Sequence, residues 1–384
     1  MTLSPSELLR YSRHLALPEV GLAGQEKLQA ARVLLVGAGG LGSPCALYLA
    51  AAGVGTLGIL DHDRVDESNL QRQVLFDTAG IGAPKAELAR RRLSALNPRL
   101  EIIAHPLELH AGNIEALWRD YQLIIDGSDR VSTRYLINDA CVLYGKPLVS
   151  AAIHRFEGQA MTYVPDRSPC YRCLFPEPAE GLVPSCAQAG VLGVLPGVLG
   201  CLQATEAIKL IVGIGEPLTG RLLTYDALAL RFDEFRFTRR SDCAVCGATP
   251  SIRAPQDPPG FCTLEELGRV PQISAGELAT RLTSGQRVAL IDVRESREFG
   301  AGHLERAINI PLSRLEAGAA SGRFWPEGLA APPAEPWVFI CRSGVRSRKA
   351  CALARRAGHE ASVQLEGGLL SWQAEIEPSL ALAD

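Results

Sequence analysis

Between Arg32 and Gln73 the chain runs from an apolar strand (Val33-Leu34-Leu35-Val36) through Gly37-Ala38-Gly39-Gly40-Leu41-Gly42 into a helix of small residues. A second strand, Leu57-Gly58-Ile59-Leu60, follows, and then the polar run Asp61-His62-Asp63…Ser68-Asn69-Leu70-Gln71-Arg72-Gln73. A glycine turn between strand and helix lets backbone N–H groups and the helix N-terminus approach phosphate oxygens closely. The acidic residue that closes the next strand, about 20 residues on, is placed for a ribose hydroxyl. This arrangement predicts a nucleotide site that uses Gly37, Gly39, Gly40, Leu41, Gly42 and Asp61.

The polar run narrows the choice of nucleotide. A nicotinamide or flavin enzyme uses the turn and the acid but has no use for a second Asp, Asp63, or for an Asn-Leu-Gln-Arg-Gln cluster. An enzyme that cleaves a triphosphate between its α- and β-phosphates needs cations against the phosphate charge and carboxylate for Mg²⁺. Arg72, Lys85 and Asp129 supply these groups. The plainer readings are a helix cap for Asp129 and surface charges for Arg72 and Lys85. Their position after the Asp61 strand favours phosphate contacts.

From residue 31 to 150, strand and helix patterns alternate (32–36, 43–53, 57–61, 84–96, 101–104, 112–119, 122–126, 132–145, 147–151), which predicts a mostly parallel sheet with helices on both faces. Ligands of such sheets bind beyond the carboxyl ends of the strands. Gly37, Asp61 and Asp126-Gly127-Ser128-Asp129 all fall there. The pattern is mixed from 151 to 248, with strands at 159–164 and 221–225 and a helix at 197–213. Residues 249–272 are Pro-rich and read as a linker. A second, smaller α/β pattern occupies 273–384.

Two pairs of cysteines, Cys170-x-x-Cys173 and Cys243-x-x-Cys246, could supply four thiolates to one closed, tetrahedral, structural Zn²⁺. Four unrelated thiols or a redox pair are the other readings. In the second domain, Cys341-Arg342-Ser343-Gly344-Val345-Arg346-Ser347 lies after an apolar strand and before a helix. Backbone N–H groups curled round the sulfur, the helix dipole and two arginines would all favour a thiolate. The Cys-x₄-Arg spacing is one residue shorter than the phosphatase loop, which suits a single persulfide sulfur better than a phosphate.

The chain has 384 residues, 47% of them hydrophobic, and a net charge of −3, so it has room for two or three domains and no obvious nucleic-acid partner. Its start is polar, and its longest apolar run, Val191 to Leu202, holds Pro196 and is too short for a bilayer. Eleven cysteines without such a leader predict a reducing compartment, the cytoplasm.

The nucleotide motifs, with Ser43-Pro44 and Gly82-Ala83-Pro84-Lys85, resemble the ubiquitin-activating-enzyme superfamily in its molybdopterin-synthase/thiamine adenylyltransferase branch. The resemblance implies a Rossmann-like fold, a structural zinc site and ATP bound through the turn together with Asp61, Asp63, Ser68, Asn69, Gln71, Arg72, Lys85 and Ser128. It also implies Mg²⁺ held by Asp129, and a homodimer in which Arg13 reaches the partner's nucleotide. Cys186 matches a position that attacks the adenylated carrier in members with a sulfurtransferase tail. Otherwise Cys186 is a small buried hydrophobe. The second domain resembles rhodanese through Leu290-Ile291-Asp292-Val293-Arg294-Glu295…Glu298-Phe299-Gly300-Ala301-Gly302-His303-Leu304, Ala307-Ile308-Asn309-Ile310-Pro311 and the Cys341 loop. Arg306 stands where a Gly is common.

The two resemblances together imply ATP-dependent adenylation of the C-terminal Gly-Gly carboxylate of a small ubiquitin-like, β-grasp sulfur carrier. Sulfur would follow from a Cys341 persulfide, loaded from thiosulfate or a cysteine-desulfurase system. A nicotinamide oxidoreductase with an accessory domain is disfavoured by the Asn-Leu-Gln-Arg-Gln cluster and the cysteine pairs. A non-catalytic scaffold is disfavoured by the full set of phosphate-site charges. A ubiquitin-type conjugating activator would need further domains that the chain lacks.

Overall fold

The computed structural model describes residues 3–177, 190–257, 262, 264–320, 324–326 and 336–382. They divide into two compact units, Met1–Asp257 and Pro258–Asp384.

The first unit is built on an eight-stranded sheet: β1 Arg32–Val36, β2 Thr56–Leu60, β3 Glu101–His105, β4 Leu123–Asp126, β5 Leu148–His154, β6 Glu157–Tyr163, β7 Arg221–Asp226 and β8 Arg231–Arg236. Their order is β3-β2-β1-β4-β5-β6-β7-β8. Neighbours from β3 to β5 run parallel, in register from Val33↔Leu57 to Ile125↔Val149. Pairs beyond β5 are antiparallel. β1 and β2 are almost continuously apolar because both faces are covered. One face carries the helices Gly42–Ala52, Lys85–Leu96 and Leu195–Val212, with Leu35, Leu57, Ile59 and Leu93 in its core. The other carries Ala111–Arg119 and Val131–Leu143 around Trp118, Leu34 and Ile124, and runs on to Cys170, Cys173 and Cys243.

Among the described residues, one helix, Leu195–Val212, is long and apolar enough by length and composition to cross a membrane, and half of it is buried in the protein. Pro196 does not interrupt it. It sits in the first turn, where its missing N–H has no helical partner to lose. β8, not marked by the sequence pattern, is mostly exposed and carries no strong period-2 alternation. Its tie to β7 makes it a strand.

The second unit has a five-stranded parallel sheet, β11-β10-β12-β13-β9, from β9 Gln272–Ile273, β10 Ala289–Asp292, β11 Ile308–Asn309, β12 Trp337–Ile340 and β13 Val363–Leu365. Its two faces are packed separately, one around Ile291, Phe339 and Ala350, the other around Leu278, Val338 and Leu369. The Pro-rich stretch 249–272 contains the helix Leu264–Gly268, and β9 begins at its end. Neither is visible in composition, because a two-residue strand owes its existence to pairing with β13. Arg306 has φ +67°, the left-handed backbone that glycine adopts without strain, which explains why a glycine suits that turn.

Candidate adenylation and sulfur-transfer sites

The glycine turn leaves the end of β1 at Gly37, with φ +90°. A Cβ there would lie 2.7 Å from the Gly127 carbonyl oxygen, and one on Gly42 would overlap the Gly37 carbonyl. The loops after β1 and β4 can therefore touch only because these positions lack side chains. Asp61, at the end of β2, is 8% exposed and spends both carboxylate oxygens on the backbone. It accepts the Ala38 N–H at 2.8 Å and the Asp63 N–H at 2.9 Å. Burial pushes its carboxyl up, while nearby Lys85 and these two N–H bonds pull it down. In this structure, then, Asp61 braces the turn.

Of the other sequence-predicted residues, Arg72, Lys85 and Ser128 stand against that turn or the Asp61 that braces it. Lys85, buried at the start of its helix, pairs with the Asp63 carboxylate at 3.0 Å. Burial raises the Asp63 carboxyl, but Lys85, His62 and Arg130 together hold it below the usual carboxylate range. The Arg72 and Gln73 side chains border Gly40 and Gly39. Arg72 donates to the Ser68 carbonyl at 2.9 Å and is half-buried. Ser68 and Asn69 cap their own short turn through Asp66, and Gln71 abuts Gly193. Leu41 is buried in a small core with Leu195 and Leu199.

Ser128 donates its N–H and hydroxyl to Asp126 at 2.9 and 2.6 Å. Asp126, fully buried, is further held by Arg134 and Ser150. Asp129, next in the chain, is exposed and has no hydrogen bond or ion pair among the described residues, so its carboxylate oxygens are free hard donors. Arg13 is exposed on the short helix Ser12–Leu15, and among the described residues nothing ties it to the turn. Cys186 lies outside the described residues.

The four knuckle cysteines meet. Cys170 and Cys243 sulfurs are 3.6 Å apart, Cys173 and Cys246 sulfurs 3.3 Å, and all four lie within 4.8 Å of one another. A tetrahedron with zinc–sulfur bonds of about 2.3 Å has sulfurs about 3.8 Å apart, so the set fits that metal. The Cys170 S–H bonds to Cys173 and holds the Cys173 thiol below its usual range, helped by the Arg240 N–H at 3.4 Å. A clamp unseen in the sequence holds the first knuckle. Asn138 accepts the Tyr171 N–H at 2.8 Å, and Asp139 takes Arg172 in a fork with both bonds at 2.7 Å. Cys45, Cys141, Cys262 and Cys351 are buried, and Cys201 is half-buried.

In the second unit Cys341 directly follows β12 and is 1% exposed. Gly344, with φ +89°, turns the chain into the helix Val345–Arg356. That turn aims the Gly344 and Ser347 N–H groups at the Cys341 sulfur, at 3.2 and 3.3 Å. Arg346 is locked to Glu298 by two bonds of 2.6 and 2.7 Å, and these hold the Glu298 carboxyl below its usual range. The buried Asp292–Arg294 pair ends β10. Gln364 and Gln272, whose role the motif did not reveal, lie beneath the loop.

Residues 11–245 match the ThiF family and residues 274–375 the rhodanese-like domain. The chain is 45% identical over 99% of its length, and 96% of the relative's, to a Mycobacterium tuberculosis protein named "Probable adenylyltransferase/sulfurtransferase MoeZ". It is 43% identical to the Mus musculus "Adenylyltransferase and sulfurtransferase MOCS3" over 98% of this chain and 87% of that one. A Thermus thermophilus "Sulfur carrier protein adenylyltransferase" is 51% identical over 69% of this chain and all of its own. The crystal structure of Escherichia coli MccB with ATP shares the fold, with a TM-score of 0.54 at 24% identity over 62% of this chain and 73% of that one. The chain belongs to the ThiF family, among the adenylyltransferase/sulfurtransferases that carry a C-terminal rhodanese-like domain.

Proposed function

We propose that the protein adenylates the C-terminal Gly-Gly carboxylate of a small ubiquitin-like sulfur-carrier protein and converts it to a thiocarboxylate with sulfur from Cys341. The names of the near full-length relatives support both activities. The observation that carries the reading is the pair of N–H groups converging on the Cys341 sulfur, in a chain that also holds the Gly37–Gly42 turn. Residues 1–248 are assigned the first reaction and 273–384 the second, with 249–272 between them.

In the first step the carrier carboxylate attacks the α-phosphorus of ATP, and the bond to pyrophosphate breaks. The turn, Ser68, Asn69, Gln71 and Ser128 border the nucleotide, while Arg72, Lys85 and a partner subunit's copy of Arg13 neutralise phosphate charge. Asp129 would hold Mg²⁺, which would supply positive charge against the departing pyrophosphate. The free carboxylate of Asp129 supports this assignment.

In the second step the outer sulfur of a Cys341 persulfide attacks the acyl carbon and AMP leaves, giving an acyl disulfide. An external thiolate then attacks the Cys341 sulfur, which releases the thiocarboxylate and leaves Cys341 in a mixed disulfide that a second thiol reduces. Cys186 is assigned one of two roles, taking the acyl group from AMP as a thioester or helping to resolve the acyl disulfide. A tethered nucleophile captures the acyl group before water does. Thiosulfate or a cysteine-desulfurase persulfide is the donor, one structural zinc shapes each chain of a homodimer, and the cytoplasm is the setting.

Intact mass spectrometry of Gly-Gly-ended carriers incubated with the protein, Mg-ATP and thiosulfate tests this. The expected result is replacement of one oxygen by sulfur on one carrier, absent with Cys341→Ala. Adenylate without sulfur would overturn the second half of the reading, and ATP binding with no carrier reacting would overturn both.

A further inference from the structure

Beneath the Cys341 loop a chain of polar side chains leads away from the sulfur into the sheet. The Ser347 hydroxyl is 3.5 Å from the Cys341 sulfur, 3.0 Å from the Gln364 Oε1 and 3.2 Å from the Gly344 carbonyl. Gln364 Nε2 donates to Gln272 Oε1 at 2.9 Å, and Arg348 reaches the same oxygen at 3.4 Å. Ser347 and Gln364 are both fully buried. Gln364 sits in the middle of β13, between Phe339 of β12 and Gln272 of β9, where an apolar side chain would avoid the cost of burying an amide.

The hydroxyl has one proton and three neighbours. With the Gln364 oxygen towards it, that proton is drawn from the sulfur, and the hydroxyl meets Cys341 with its lone pairs, which suits a neutral S–H. A sulfur anion needs the opposite arrangement. If the Gln364 carboxamide turns about its terminal bond, its N–H meets the Ser347 oxygen and the hydroxyl proton points to sulfur. The Gln272 amide can turn in the same sense and keep the second link. Few side chains other than a carboxamide can serve both states.

We propose that Gln364 is a positioning residue for the Cys341 sulfur anion, directing the Ser347 hydroxyl proton towards the thiolate and the persulfide. The proposal rests on the reading of Cys341 as the sulfur-transfer nucleophile. In loading by thiosulfate, the thiolate attacks the outer sulfur and the thiosulfate S–S bond breaks. The electron pair leaves on sulfite, and negative charge ends on the new outer sulfur. The charged groups around this position are Arg342 and Arg346 of the loop, Glu298 bound to Arg346, Arg348 at the far end of the chain, and the Asp292–Arg294 pair.

The test uses the full-length protein carrying Gln364→Met, similar in shape without donor or acceptor, and Gln364→Glu, an acceptor of nearly the same size. Each is made with Ser347 intact and with Ser347→Ala. Alkylation of the Cys341 peptide by iodoacetamide is followed against pH by mass spectrometry, persulfide loading by thiosulfate is timed, and circular dichroism checks the fold. With Ser347 intact, Gln364→Glu should raise the alkylation midpoint by about one pH unit and slow loading about tenfold at neutral pH. Gln364→Met should raise the midpoint by about half a pH unit and slow loading about threefold. With Ser347→Ala, Gln364→Met should change nothing further. An equal effect of Gln364→Met in both backgrounds, or none in either, would overturn the proposal. If Gln364→Met does not fold, the proposal requires the Gln364→Glu shift to shrink in the Ser347→Ala background. A wild-type protein that takes no sulfur from thiosulfate, yet shows the Ser347-dependent alkylation shift, would instead count against the donor in the proposed function.

Discussion

The molecule contains two strand–loop–helix cradles for negative charge, and they solve the problem differently. The Gly37–Gly42 turn, between β1 and the helix Gly42–Ala52, contributes cleared space and backbone, while the charged side chains around it come from separate stretches at 61–63, 68–73, 85 and 128–129. The Cys341–Ser347 loop, between β12 and the helix Val345–Arg356, contains a buried cysteine, the N–H donors aimed at its sulfur and two arginines within seven consecutive residues. A triphosphate is long and multiply charged, so it needs groups from many directions. A single sulfur anion is small enough for one tight loop to surround. The first cradle can be dismantled piecemeal, whereas the second is a single unit.

The largest effects are expected when each cradle is disabled alone. Asp129→Ala should lower carrier-dependent pyrophosphate exchange by about 10³-fold and leave persulfide loading of Cys341 unchanged. Cys341→Ala should do the reverse, reducing sulfur transfer by more than about 10⁴-fold while pyrophosphate exchange continues. A loss of both activities in either variant would show that the cradles are not separable.

A smaller effect tests the space that the first cradle needs. Gly37→Ala places a Cβ 2.7 Å from the Gly127 oxygen in a backbone with φ +90°, so it should cost about 3 kcal/mol and weaken ATP binding, measured by chemical unfolding and calorimetry. An unchanged affinity would mean that the two loops can part without harm to the site.

The smallest effect concerns the second cradle's support. Arg346 holds Glu298 below its ordinary value of 4.5, so the unfolded chain binds a proton at higher pH than the folded one. The stabilisation is therefore complete above the ordinary value and is lost as pH falls through the lower folded value. Thermal melting of the full chain from about pH 6 to about pH 3 should show an acid-side loss that Glu298→Gln reduces, by no more than about 1 kcal/mol because the pair is partly exposed. An identical acid profile in Glu298→Gln would remove this pair from the account.

Both cradles were legible before the fold was known, as were the strands β1, β2, β4 and β12. Runs such as Val33-Leu34-Leu35-Val36 and Trp337-Val338-Phe339-Ile340 read as strands because both sheet faces are covered. The linker was less legible, since Gln272–Ile273 becomes a strand only through β13. The exposed β8 was missed for the same reason.

By itself, the sequence determined where the chain turns back on charge. The requirements for that are local: positive φ at Gly37 and Gly344, a missing Cβ, and successive N–H groups curling towards one atom. The cysteine pairs likewise marked four thiols that the fold brings within 4.8 Å of one another. Only the tertiary structure decided which buried polar groups satisfy one another. It brought Cys170 to Cys243 across 73 residues, set Asp61 against the Ala38 N–H, gave Asp126 to Arg134 and Ser150, and put Gln364 under Ser347. Such pairings follow from strand order and register. A buried donor takes whichever acceptor the sheet brings within reach, and the residue types alone do not name it.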